Sequence, residues 1–450
     1  MIFSFLPELF LISFTIFSIL LKFLYNRKIK NSAILLITAA VCLFPVDESI
    51  KYSSHFFTYK YSESILKSLF LLSSSILCKF VYDSDSYNKQ ILAVLSVVGA
   101  MFALSSNNFL SLLFSMELSA ITIYMFLKKE DLSNKHVLYW IASSAIFIFA
   151  IFLMYVFIGS TNFNDIRYAF SYHQPKLSYF ILATIFIAFC MKLGSFLLHF
   201  GILDSFKNEL QDISIIFCVV RISMIFVFYK IIAVAFYHID ISSILLLASC
   251  ISLFFGCILI SSQTNLKKII AYFLIYNSGI VFLCSSCKTY QSLKSVLYSA
   301  LSEIISILGI FIVLTNIKKN KNQKLEYISD LNGISSWNPT LAAFITILFL
   351  SLFGLSPFVG FYSRLFVCLS LLSKGIIFPS IVYIISFAIN LICLGKIIDA
   401  IWFKKAETGE YFIISNENVS KVICFISFFT IISIPLANKL INLMRLEVYL

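Results

Sequence analysis

The sequence predicts an all-α polytopic membrane protein, and three observations carry that prediction. Of its 450 residues 60% are hydrophobic, the mean hydropathy is +0.95, and only 12% are charged. A soluble globular domain carries about 25% charged residues, and a chain of roughly 300 residues buries about 75% of its surface on folding. A water-soluble fold of this size has nowhere to put the apolar surplus, so the surplus faces lipid. That excludes a soluble enzyme, a nucleic-acid-binding module and a disordered chain. Second, the apolar residues fall in continuous runs of about 20, the length at which a helix crosses a bilayer, and not in the short alternating segments of a membrane barrel. Third, the polar stretches between runs are short, which predicts one integral membrane domain over 1–450 with no soluble domain attached.

Taken in order, the runs predict spans near 3–25, 31–47, 63–82, 89–105, 107–128, 135–158, 177–200, 212–236, 241–261, 268–287, 293–316, 340–373, 376–403 and 421–442, about fourteen helices. The longest polar stretches are 48–62, 159–176, 317–338 and 404–420. The first run has no basic leader and no small-residue cleavage site, so it reads as a retained span. The net charge of +12 has its source in the loops. Seventeen loop Lys and Arg fall on the side reached after the first helix, nine on the other. The positive-inside rule then places both termini outside and the run "IKKNKNQK" in the cytoplasm or matrix.

The run 340–373 is 34 residues long, some 50 Å of helix where about 30 Å suffices. Its centre reads Gly354-Leu355-Ser356-Pro357-Phe358-Val359-Gly360. Proline lacks the helical donor and glycine weakens the flanks. The expectation is a helix with an unwound centre, of the kind that lines protein-enclosed or wet cavities. A proline kink and two short helices with a tight turn are the alternatives. Eleven cysteines are scattered through the runs as small apolar residues. Cys284 and Cys287 have redox or metal spacing but stand without a second pair or a nearby His.

An ionisable side chain inside a span costs about 2.5–3.5 kcal/mol on insertion scales and persists when paired, hydrated or used. Glu117, Lys192, Arg221, Lys230, Glu303, Arg364, Lys396 and Asp399 fall inside the predicted runs, with His199 seven residues after Lys192. A row of titratable groups at membrane depth is what lateral proton movement requires. Glu117 near Lys192 would form a switchable pair, and a spacing of seven would put Lys192 and His199 on one helical face. The plainer readings are a static Glu117–Lys192 ion pair, a Lys230 that snorkels to the interface, and Glu303 or Asp399 placed near a helix end.

The motifs resemble subunit N of bacterial proton-pumping NADH:quinone oxidoreductase, called subunit 2 in mitochondria. "LPELFL" at Leu6–Leu11 is similar to the family's start. "NNFLSLLFSMELSAITIYMF" resembles its fifth helix, and "IASSAIFIFAIFLMYVFIGSTNFNDI" its sixth helix and following loop. "SQTNLKKIIAYFLIYNSGIV" resembles the start of the tenth. "DLNGISSWNPTLAAFITILFLSLFGLSPFVGFYSRLF" resembles the broken twelfth and is the most specific of the five. The resemblance implies an antiporter-like fold of two inverted five-helix repeats, each with a broken helix. The repeats would cover 89–236 and 241–403, preceded by N-terminal helices over 1–82 and followed by a last helix at 421–442. It implies that Glu117, Lys192, His199, Arg221, Glu303, Arg364 and Lys396 form the proton path or its fixed charges.

The chain also departs from the family. The helix-seven break usually carries prolines and a tryptophan, where this chain has Leu197, Gly201 and Leu203. A helix-ten histidine appears as Asn277, and two lysines appear as Arg221 and Arg364. Lysine makes up 29 of the 34 basic residues, so arginine at both sites runs against composition. Arginine does not deprotonate in proteins, so these two would act as fixed charges while Glu117, Lys192 and Glu303 or His199 titrate. The expected function is proton translocation coupled to quinone reduction in other subunits. No cofactor is expected in this chain; NADH, FMN, iron–sulfur clusters and quinone would belong to partner subunits. Other membrane subunits of the same complex and the lipid bilayer are the expected partners, with quinone indirect and nucleic acid absent. A multisubunit cation/proton antiporter and a non-pumping scaffold are the rival readings. The expected location is a bacterial inner membrane, with the mitochondrial inner membrane as the alternative.

Overall fold

The computed structural model describes residues 6–25, 35–39, 52–53, 55–82, 87–126, 131–172, 176–195, 198–206, 210–319, 323–405, 412–414 and 417–448. Most of the span expected at 31–47 lies outside them, as does Leu197. In chain order the helices are α1 (Leu6–Tyr25), α2 (Tyr61–Phe80), α3 (Tyr87–Ser105), α4 (Phe109–Phe126), α5 (Asp131–Ile158), α6 (Phe163–Tyr172), α7 (Lys176–Leu193), α8 (Phe200–Ser205), α9 (210–235), α10 (Ser242–Ser262), α11 (Leu266–Cys287), α12 (Tyr290–Asn316), α13 (Ile334–Trp337), α14 (Pro339–Phe353), α15 (Val359–Lys374), α16 (Ile377–Trp402) and α17 (Glu417–Val448). Short strands are β1 (Tyr52–Ser53), β2 (Thr58–Tyr59), β3 (Ile317–Lys319), β4 (Gln323–Lys324) and β5 (Phe412–Ile414). Among the described residues eight helices are long and apolar enough to cross a membrane, and 109–120, 177–193 and 339–353 are shorter apolar helices. A helix satisfies its own backbone, which is why apolar runs in lipid take this form. Buried serines do the same with their hydroxyls, as Ser96 bonds the Ala93 carbonyl at 2.7 Å and Ser299 that of Val296 at 2.8 Å.

The chain divides into two compact units, Met1–Leu193 with Asp212–Asp240 and Asn442–Leu450, and Gly194–Gln211 with Ile241–Ile441. In the first unit α3 packs on α1, α2, α4 and α9, and α5 packs on α7. Gly99 is what lets α3 approach α4, since a Cβ there would stand 2.8 Å from the Ser119 amide nitrogen. The turn between α3 and α4 is knitted on both sides. Asn107 donates to the Phe56 carbonyl at 2.9 Å, Phe109 to Thr161 at 3.0 Å, and Phe163 to Asn107 at 3.1 Å. Helix α9 contains two π-helical turns, 216–220 and 231–235, and such turns recur at functional sites.

In the second unit α10 and α11 pack closely at two glycines. A Cβ on Gly256 would stand 3.1 Å from the Tyr276 Cα, and one on Gly279 3.0 Å from the Ser252 Cβ. Helix α12 is buried along its length against α14 and α15. Thr289 and Ser292 close a capping box at its start, and Asn265 caps α11. The run 340–373 is two helices, α14 and α15, separated by 354–358. Gly354 ends α14 in the left-handed region (φ 88°), and the Ser356–Pro357 bond is cis. Gly360 has no room for a side chain, because a Cβ would fall 1.9 Å from the Ser351 carbonyl oxygen.

Three expectations change. The span 177–200 ends at Leu193, where Gly194 turns left-handed (φ 67°) against the Ile202 side chain. The break therefore forms from a glycine and without the family's prolines. Because the helix stops there, a spacing of seven does not place Lys192 and His199 on one helical face. The polar stretches also hold structure: a β1–β2 hairpin in 48–62, α6 in 159–176, and an antiparallel β4–β3–β5 sheet drawing strands from 317–324 and 412–414.

Candidate functional site

Glu117 on α4 and Lys192 on α7 come together in the first unit, Nζ to Oε1 at 3.9 Å. Lys192 occupies the last turn of α7, where the helix dipole favours a cation. Its side chain is 2% exposed and its ammonium stands 5.4 Å from the centre of the Trp140 ring. Glu117 is one third exposed. The separation is that of an ion pair and exceeds a hydrogen bond, and neither Lys192 Nζ nor Glu117 Oε1 has a hydrogen-bond partner among the described residues. At this distance the two charges stabilise each other, so neutralising either leaves the other unmatched. Arg221 is buried at 3% exposure directly after the first π turn of α9, and Lys230 directly precedes the second.

Lys230 does not snorkel. Its ammonium bonds Glu63 Oε1 at 3.1 Å and the carbonyls of Leu104 and Ser106 at 3.1 and 2.9 Å. A second buried pair, Glu8 on α1 with Lys67 on α2, lies in the same unit at 2.5 Å. Glu8 and Glu63 both stand in first turns, where the dipole favours an acid. Sequence reasoning missed Glu8, Glu63 and Lys67, although the rule that singled out Glu117, an ionisable group within an apolar run, applies equally to Glu8 and Lys67. Glu63 has no such signal; it lies at the polar edge of its run.

In the second unit Glu303, fully buried on α12, accepts a hydrogen bond from the Asn277 amide on α11. Arg364 on α15 is 7% exposed, with its guanidinium 5.7 and 5.3 Å from the centres of the Phe273 and Tyr276 rings. Its side chain lies across Gly354, where a Cβ would stand 2.7 Å from Arg364 Cγ. Lys396 and Asp399 lie within α16, as expected; Lys396 is exposed and Asp399 half-buried. Lys396 bonds the Ser261 carbonyl at the end of α10 at 2.7 Å, and Asp399 pairs with Lys404 at 3.3 Å. His199 is half-buried, stacked on Phe200 with ring centres 4.6 Å apart. A cleft of about 570 Å³ lies between α8 and the start of α11, lined by Asp204, Lys267, Lys268 and Glu326, with Lys267 and Glu326 paired at 3.1 Å. Cys284 is a free thiol that accepts a hydrogen bond from Ser295, and Cys287 is free as well. Among the described residues no three His, Cys, Asp or Glu side chains group as metal ligands.

A family profile described as NADH:quinone oxidoreductase/Mrp antiporter, transmembrane, matches residues 106–391. NADH-quinone oxidoreductase subunit N of Pelagibacter ubique is 26% identical over 426 residues, which cover 89% of this chain and 90% of the relative. The subunit N of Rickettsia conorii is 28% identical over 365 residues, 75% of this chain and 78% of the relative. A chain of respiratory complex I from Thermus thermophilus superposes with a TM-score of 0.82 at 16% identity, covering 95% of this chain and 96% of the other. A chain of the Mrp complex from Dietzia sp. superposes with 0.83 at 14%, covering 98% and 96%. The matched region spans well over half of the sequence and holds Glu117, Lys192, Arg221, Glu303 and Arg364, so the chain belongs to the NADH:quinone oxidoreductase/Mrp antiporter family of transmembrane proteins.

Proposed function

We propose that this chain is a proton-translocating membrane subunit of an NADH:quinone oxidoreductase, of the subunit N type, in a bacterial inner membrane. The Glu117–Lys192 pair is the observation that carries it. A dry ammonium and a partly open carboxylate on different helices at 3.9 Å form a switchable charge pair, inside a chain whose subunit N relatives align over most of its length. On this reading fourteen helices cross the membrane with both termini outside, and 89–236 and 241–403 are inverted repeats. Glu117 and Lys192 serve the first repeat, and Glu303 with the fixed charge of Arg364 the second; Arg221 is a second fixed charge. His199, the cleft beside Asp204 and Lys396 at the end of α10 all mark the lysine-rich side, where protons are taken up. NADH, FMN, iron–sulfur clusters and quinone are held by partner subunits, whose redox reaction drives the charge changes. Reconstituting the complex and counting protons per electron tests this. Lys192→Met should lower the ratio while quinone reduction continues; an unchanged ratio means that the chain is a scaffold.

The likeness to the Mrp complex chain supports a second reading, a cation/proton antiporter subunit. Co-purification decides between the two: flavin, iron and quinone reductase activity accompany the first and are missing from the second.

A further inference from the structure

Four charges held inside the first unit lie outside the path proposed above. Glu8 on α1 pairs with Lys67 on α2, and Glu63 on α2 pairs with Lys230 on α9. Glu63 and Lys67 are four residues apart in one helix, so they are neighbours on one face of α2. The result is a row of alternating sign over three helices, Lys230–Glu63–Lys67–Glu8, with no net charge. The two ends of the row differ. Lys230 spends its three N–H groups on Glu63, Leu104 and Ser106, and the Thr58 hydroxyl stands 3.3 Å from the same Glu63 oxygen. That ammonium is saturated and acts as a fixed charge. Glu8 has no such support: among the described residues no amide or hydroxyl donates to either of its oxygens. Its charge rests on Lys67 and on the dipole of the first turn of α1.

The row sits at one end of the helices. Glu8 and Glu63 are in the first turns of α1 and α2, and Lys230 directly precedes the last, π-helical turn of α9. The same ammonium reaches the Ser106 carbonyl, just before α4 begins at Phe109. Glu117 is eight residues further along α4, about 12 Å, and Lys128 and Lys129 follow that helix in the sequence. Along α4 from the lysine-rich side, the Glu117–Lys192 pair therefore comes first and the row second. The row stands where a proton leaving that pair for the lysine-poor face needs its next acceptor. Within the row only one pair is free to serve, because the Lys230 end is locked by its three acceptors and the Glu8 end is not.

We propose that Glu8 and Lys67 are the proton-release pair of the first unit, with Glu63–Lys230 as the fixed pair beside it. The assignment rests on the subunit N reading above. Lys67 passes one proton to Glu8, leaving an amine and a carboxylic acid. Glu8 then releases that proton to the lysine-poor side, and the Lys67 amine takes the next one from the side of Glu117. One proton crosses per cycle and both charges return. Protons per electron in the reconstituted complex test it. Removing one partner strands a charge whatever the pair does, whereas the double variant Glu8→Gln/Lys67→Met strands none. A static clamp is therefore repaired in the double variant and a release pair is not. The double variant should lose as much of the ratio as Lys192→Met does. A wild-type ratio in it overturns the release pair; if Lys192→Met still lowers the ratio, the subunit N reading stands, and if not, that reading falls as well. If the double variant does not assemble, Glu8→Asp decides, since it keeps the acid and draws it back from Lys67: a lowered ratio supports the proposal and a wild-type ratio overturns it.

Discussion

The ammonium of Lys230 on α9 stands 3.1 Å from the Glu63 carboxylate on α2 and bonds the carbonyls of Leu104 and Ser106 at the α3–α4 turn as well. One cation thus ties three segments at the point where the chain enters the helix that carries Glu117. Breaking a buried ion pair from one side costs about 3–5 kcal/mol, because the remaining charge is stranded. Glu63→Gln and Lys230→Met should each lower the melting temperature of the purified complex. The double variant should recover at least ~1 kcal/mol relative to their sum. Additive losses in a double-mutant cycle would show that the pair is not coupled.

Glu117 is also one methylene from losing its partner. Shortening it in Glu117→Asp should open the 3.9 Å contact to Lys192 and reduce proton pumping in proteoliposomes without stopping quinone reduction. Glu117→Gln, which removes the charge, should reduce it further. Equal pumping in all three would separate the pair from transport.

Two glycines make a matched test of the break between α14 and α15. A Cβ at Gly360 meets the Ser351 carbonyl at 1.9 Å, while one at Gly395 on α16 meets nothing within 4 Å. Overpacking of this kind costs about 1–3 kcal/mol or more, and alanine in an open helical site is favourable by about 0.5–1 kcal/mol. Gly360→Ala should therefore reduce the amount of assembled subunit in membranes, and Gly395→Ala should not. Blue-native gels read both.

Asn277 is the hydrogen-bond donor to the fully buried Glu303. Asn277→Leu removes it, and hydrogen bonds to charged groups are worth about 1.5–3 kcal/mol. The protons moved per electron should fall in Asn277→Leu. Asn277→His restores an N–H donor and should keep the ratio closer to wild type. A leucine variant with full coupling would show that the Asn277–Glu303 bond plays no part in pumping.

The spans were legible because lipid leaves a chain few choices: 293–316 was expected and Tyr290–Asn316 forms. The 354–358 break was legible from Pro357 and its glycines. The break after Leu193 was implied only by the resemblance, and its position was not legible, since Gly194 sits in an apolar run where a helix tolerates one glycine; a Cβ there would meet the Ile202 side chain. Of the site residues, Glu117 and Lys192 stood out as charges in apolar surroundings and proved to be neighbours. Lys396 met the same test and is exposed, because hydropathy along a run does not tell which face of the helix turns inward. Glu63 became visible only once Lys230 on another helix was seen to reach it.

Strands β3 and β5 pair Ile317 with Ile414 and Lys319 with Phe412. The partners are about a hundred positions apart in the chain, and α14, α15 and α16 lie between them. During synthesis β3 leaves the ribosome long before β5 exists. The ribbon can close only after the intervening helices have been inserted and returned to the same side. It is therefore a completion mark for biogenesis: a chain stalled or misinserted anywhere across those helices keeps β3 as an open edge, the kind of exposed strand that invites pairing with other chains.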